Sequence, residues 1–227
     1  MRNFVLIIAL IFPVFGGFSQ ESQIRTIGSF SGVKVTEGIH VNLKKGDKES
    51  VRVEVTGTPI DNVITEISGS YLRVHMRDGN YRGKVDAKVY VTYVKIDKIS
   101  ASSAGSIFSE GAIEAEDMEV SASSAGSIEI TVNAESVETS ASSAGEIELQ
   151  GKTRSLEIDA SSAGQVEAYD LEARKVFAQA SSAGSLKVNV TEELNAHASS
   201  GGSIRFHGNP SKSNTNSSSG GSVKKSN

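Results

Sequence analysis

Apolar and polar residues alternate with a period of two along most of this chain, and a five-residue word, Ala-Ser-Ser-Ala-Gly, punctuates the alternation. Two residues past its glycine stand Ile107, Ile128, Ile147, Val166, Leu186 and Ile204. Four past it stand Ile130, Leu149, Ala168, Val188 and Phe206, with Ser109 in the first copy. Between them lie Phe108, Glu129, Glu148, Glu167, Lys187 and Arg205. On the approach, Met118, Val137, Leu156, Val176 and Leu194 lie four before the word; Ile99, Val120, Thr139, Ile158, Ala178 and Ala196 lie two before it. Such alternation marks strands with one buried face. Each repeat reads as strand, small-residue corner, strand and a looser turn such as Asn133-Ala134-Glu135.

The word occupies 101–105, 122–126, 141–145, 160–164 and 180–184. It recurs as Ala-Ser-Ser-Gly-Gly at 198–202 and in degraded form at 217–221, in steps of 21, 19, 19, 20, 18 and 19 residues. One unit of this length cannot bury its apolar face alone, whereas stacked coils can, because each bonds to the coils above and below. The predicted fold is all-β: a single-stranded parallel β-helix, a solenoid of coils of about 19 residues, with inward columns of Ile, Val and Leu. A series of antiparallel hairpins would instead carry Asn-Gly or Asp-Gly turns between the repeats' strands. Carried through the corner, the alternation turns the first Ala, the second Ser and the Gly inward, with Gly serving for unusual backbone angles.

The chain divides into four parts. Residues 1–19 read as a signal peptide. A short basic start at Met1-Arg2-Asn3 precedes an apolar run, Phe4–Phe15, and small residues at Gly17 and Ser19 place cleavage before Gln20. Residues 20–99 are β-rich without the word and serve as a strand-rich cap and first coils, with a short helical spacing begun at Pro59. Residues 100–207 are the repetitive coils. Residues 208–227, rich in Ser, Asn and Gly, read as a degenerate coil and a disordered tail.

Charge follows the same boundaries. Residues 100–205 carry 17 acidic and 6 basic side chains, residues 20–99 carry 10 and 13. An acidic solenoid repels phosphates, so nucleic acid is excluded as a partner. The chain has no Cys, hence neither disulfides nor thiolate metal sites. The four histidines, His40, His75, His197 and His207, are isolated in strand patterns, and no nucleophile-elbow word occurs. No catalytic residue, cofactor site or metal centre is assigned.

Two outward patterns remain as candidate surface columns. Glu119, Glu138 and Glu157 recur three before the word, and Glu129, Glu148 and Glu167 three after its Gly. Stacked coils would set each trio at about 5 Å spacing. That is a solvated face, or a weak site for a divalent cation, which takes oxygen ligands. The first serines, Ser102, Ser123, Ser142, Ser161, Ser181 and Ser199, would form a column of hydroxyls suited to a repetitive polymer such as a glycan, or would simply be small residues at a corner.

The leader, the segments Phe30-Ser31-Gly32-Val33-Lys34-Val35 and Gly38-Ile39-His40-Val41, then Leu72-Arg73-Val74, Val89-Tyr90-Val91 and the Ser-Ser-Ala-Gly-Ser-Ile series together resemble the auto-transporter adhesin "head GIN" domain family, from about Ile24 to Phe206. That resemblance implies an exported repetitive β fold related to right-handed β-helices. The expected function is a non-enzymatic, exported β-helix of the bacterial cell envelope, in the periplasm, at the outer-membrane surface or outside the cell, used for adhesion or surface interaction with a glycan or an envelope protein. Alternatives are a polysaccharide-binding or polysaccharide-degrading β-helix, or a structural envelope component with its open C-terminal coil as a docking edge.

Overall fold

A computed structural model of the chain describes residues 20–81 and 83–226; the expected signal segment, 1–19, lies outside the described residues. In chain order the strands are β1 (Glu21–Arg25), β2 (Gly32–Val35), β3 (His40–Lys45), β4 (Ser50–Thr56), β5 (Val63–Ser68), β6 (Tyr71–Met76), β7 (Asp86–Tyr93), β8 (Lys98–Ala101), β9 (Ser106–Ala122), β10 (Ser127–Ala141), β11 (Glu146–Ala160), β12 (Gln165–Ala180), β13 (Ser185–Ala198), β14 (Ser203–His207), β15 (Lys212–Ser217) and β16 (Ser222–Lys225). Pro59 opens only a single 3-10 turn, Ile60–Asn62, because Val63 is already extended.

From β8 onward the fold is a β-solenoid in which every pairing is parallel. Ile128 lies opposite Ile147, Ile130 opposite Leu149, Val137 opposite Leu156 and Thr139 opposite Ile158. The inward columns are dry: Ile107, Ile128, Ile147, Val166, Leu186 and Ile204 are at most 2% exposed. Burial of a branched aliphatic side chain contributes about 1.5–3 kcal/mol, so each coil is held mainly by its neighbours. Thr139 stays in the column because its hydroxyl donates to the Val120 carbonyl oxygen at 3.4 Å. The looser turn around Asn133-Ala134-Glu135 is no break. The ladder between β10 and β11 skips only Glu135 and Arg154, so the coil bends there and stays in the stack.

The 21-residue step after the first word has a local cause. Extra residues at Glu110-Gly111 push β9 out of register between Glu129 and Thr131. The buried Ser109 hydroxyl repairs the ladder, accepting from the Thr131 amide at 3.1 Å and donating to the Gly111 carbonyl at 3.0 Å.

Residues 20–99 are wound into the same solenoid, but out of chain order. β2 lies between β6 and β8, and β3 between β7 and β9, all parallel. The coil built from β6 and β7 is therefore outermost, and the earlier β2–β3 coil is sandwiched beneath it. Antiparallel strands cover the outer end: β4 on β7, β1 on β4, and β5 on β6.

The other end differs from expectation. Residues expected as a frayed coil and a disordered tail form a further coil, with β15 parallel to β13 and β16 parallel to β14. Its inward positions opposite Leu194, Ala196 and Ala198 are Ser213, Thr215 and Ser217, all exposed. Polar residues that would be costly in the interior are harmless in a last rung facing water. Lys212, Lys224 and Lys225 decorate that rung, and charged edge residues discourage strand addition.

Candidate functional site

The corner decides which side chains face out. In the copy at 122–126, Ser124 and Ala125 have φ of 50° and 59°. The Gly126 amide closes back on the Ser123 carbonyl at 2.8 Å. Positive φ at both central residues is the pattern of a type I′ turn. The first Ala and the Gly are buried as the alternation implies, but the second Ser and second Ala are exposed in every complete copy. The second Ser was expected inward; two successive left-handed residues interrupt the alternation and swing it out.

The glycine's role also differs from expectation. Its φ is not positive in any copy. A Cβ on Gly145 would stand 2.5 Å from the Ala122 carbonyl oxygen, and one on Gly164 2.3 Å from that of Ala141. The fifth position is glycine because the preceding coil's backbone occupies the space a side chain needs.

This corner has an earlier copy that the sequence hides. Val35 pairs with Ala101, and Glu37 and Gly38 have φ of 61° and 69°. The Gly38 amide donates to the Ser103 carbonyl at 3.1 Å, as Ala104 does to Ser124. Val35-Thr36-Glu37-Gly38-Ile39 is thus the first corner, sharing no identical residue with the word. Gly38 after a Thr-Glu pair between two alternating runs was the only signal.

The first serines, Ser102, Ser123, Ser142, Ser161, Ser181 and Ser199, are half-buried. The exposed hydroxyls are those of Ser103, Ser124, Ser143, Ser162, Ser182 and Ser200. A hydroxyl column exists at the corner, one residue later than expected.

The glutamate columns form as the spacing implied. Glu119, Glu138 and Glu157 occupy matched rungs, as do Glu129, Glu148 and Glu167. The two columns lie on the strand legs either side of the corner. Cations flank one end of each: Lys98 Nζ stands 3.6 Å from Glu119, and Lys187 Nζ 2.5 Å from Glu167. Exposed phenylalanines adjoin the other ends, Phe177 beside Glu157 and Phe108 beside Glu129. Partial burial, then the nearby Glu157 and Glu138, raise the Asp159 carboxyl above its usual range. Among the described residues no three acidic or histidine side chains are gathered closely enough to hold a metal ion.

A shallow groove of about 400 Å³ runs beside the first column, lined by Lys95, Asp97, Lys98, Glu116, Glu119 and Glu138. Asp97 Oδ1 is buried there without a hydrogen-bond partner. The histidines are dispersed. His40 Nδ1 meets Ser106 Oγ at 2.6 Å across neighbouring rungs, His75 Nδ1 meets the Met76 carbonyl, and His207 stacks on Tyr169 with ring centroids 4.0 Å apart.

The overall fold is shared with solved structures of other proteins. Residues 29–210 match the DUF2807 family, described as putative auto-transporter adhesin, head GIN domain, and the chain belongs to that family. Its fold is similar to that of a putative adhesin from Bacteroides fragilis NCTC 9343, with TM-score 0.80 and 15% identity over 92% of this chain and 97% of that one. It is also similar to a putative adhesin from Parabacteroides distasonis ATCC 8503, with TM-score 0.73 and 15% identity over 93% and 98% of the two chains. A putative lipid binding protein from the same organism matches with TM-score 0.69 and 18% identity over 94% and 98%. No curated protein matches this chain in sequence.

Proposed function

We propose that this chain is an exported, non-enzymatic adhesin-like solenoid of the bacterial envelope, acting through its long outer faces. The observation that carries this reading is the in-register repetition of outward side chains, above all the exposed corner serines from Ser103 to Ser200. At about 4.8 Å per rung, they offer a repeating polymer such as a glycan the same contact at successive positions, and binding energy accumulates along the array. Membership of the adhesin family and the leader-like segment 1–19 support the same reading. An interior lipid site is disfavoured, since the inward columns from Ile107 to Ile204 are filled by side chains.

The test is fractionation of cells with protease accessibility, followed by retention of the purified chain on envelope glycans. Export and surface exposure, with glycan retention weakened by replacing Ser124, Ser143 and Ser162 with Asp, are expected. A cytoplasmic chain, or one that cleaves the glycans, would sink the proposal.

A further inference from the structure

The strand leg after the corner carries a self-complementary column of charge. Rung by rung it reads Glu129, Glu148, Glu167, Lys187, Arg205 and Lys224, each the direct ladder partner of the next. Three acids are followed by three bases at constant spacing, and the midpoint falls between Glu167 and Lys187. Turned by a two-fold axis lying along the strands at that midpoint, the column meets its own reverse. Glu167 then faces Lys187, Glu148 faces Arg205 and Glu129 faces Lys224, and each contact occurs twice. A two-fold interface needs one patch that complements itself in this way.

We infer that a second copy of this chain docks antiparallel on this face. Among the described residues of one chain, the ion pair within this column is that of its central rung, the 2.5 Å contact between Lys187 and Glu167. Glu129 and Glu148 stack as like charges, which costs stability on a sheet; the second copy supplies the missing cations at the matching rungs. The column beside it on one side reads Ser127, Glu146, Gln165, Ser185, Ser203 and Ser222, uncharged on every rung but that of Glu146. On the other side the bulky groups are Tyr169 and His207, which lie stacked on one another with ring centroids 4.0 Å apart. Six rungs at about 4.8 Å, each about five residues wide, bury on the order of 400 Å² per copy. That is below a standard stable interface, so the dimer is weak, reversible and salt-sensitive. This inference does not depend on the adhesive reading.

The experiment is sedimentation equilibrium of the purified chain at concentrations up to near-millimolar, in about 50 mM and about 500 mM NaCl. Circular dichroism melts confirm that each variant is folded. The wild type is expected to dimerise at low salt and dissociate at high salt. Glu129→Lys/Glu148→Lys should be monomeric, and so should Arg205→Glu/Lys224→Glu. An equimolar mixture of the two should recover the dimer as a heterodimer, because every facing pair is again of opposite sign. Glu119→Lys/Glu138→Lys, on the other strand leg, should leave the wild-type dimer unchanged. A wild type monomeric at both salts would overturn the proposal. So would a folded double variant that still dimerises, a mixture that fails to associate, or loss of the dimer in the Glu119/Glu138 control.

Discussion

Ala125 donates its backbone N–H to the carbonyl oxygen of Ser143, 3.1 Å away on the next corner. The same bond joins Ala104 to Ser124, Ala144 to Ser162, Ala163 to Ser182, Ala183 to Ser200 and Gly201 to Ser219. Left-handed backbone costs a non-glycine residue about 1–2 kcal/mol. The stacked turns offset that cost because each corner's polar groups are met by the next, and the ladder passes round the bend unbroken.

This geometry assigns different outcomes to two exchanges at adjacent positions. Ala144→Gly, at φ of 60°, removes strain and should leave stability within about 1 kcal/mol of wild type. Gly145→Ala forces a Cβ to 2.5 Å from the Ala122 carbonyl and should cost about 1–3 kcal/mol. Urea midpoints of the two variants read the difference; equal losses would refute the assigned turn.

Inward and outward facing can be separated at neighbouring residues. Ile147 is fully buried, and Ile147→Asp should cost about 4 kcal/mol or more by burying an unpaired charge. Glu148 stands on the outer face between Glu129 and Glu167. Glu148→Gln should stay within about 0.5 kcal/mol of wild type, on the stabilising side. Thermal unfolding of both variants is the check.

Asp159 predicts a pH dependence. Its carboxyl titrates above the usual range because of burial, then Glu157 and Glu138. As pH rises past the unfolded value of about 3.9, the unfolded chain loses this proton before the folded one does, so stability falls until the folded group has also ionised. Asp159→Asn should therefore raise the melting temperature at neutral pH, and the gain should shrink toward zero below about pH 3.9. A gain independent of pH would assign the effect to something other than this carboxylate.

The glutamate columns invite a cation test. No three described carboxylates converge on one point, so the columns should respond to divalent ions only by screening. Ca²⁺ and NaCl at equal ionic strength should shift the melting temperature alike. A larger Ca²⁺ shift that disappears in the Glu129/Glu148/Glu167→Gln triple variant would instead establish the weak divalent site that the sequence allowed.

The period of the word and the alternation around it were enough to derive a parallel stack, its inward columns and both glutamate columns. These follow from chemistry repeated at a constant step: if equivalent residues lie about 19 apart and the coils stack, side chains of one kind must share a column. The column in which Ile128 meets Ile147 needed no further information.

Tertiary structure alone decided what depends on contacts between coils. Which corner residue is glycine was legible, but the reason was not, because the Ala122 carbonyl that excludes a side chain at Gly145 belongs to another coil. The outward turn of Ser124 follows from left-handed backbone that only stacked turns sustain. The hidden corner at Val35–Ile39, and the placing of β2 between β6 and β8, rest on pairing between segments remote in the chain. The last coil shows the same limit: Ser213, Thr215 and Ser217 have the composition of a disordered tail, and β13 beneath them supplies the ladder that makes them a strand.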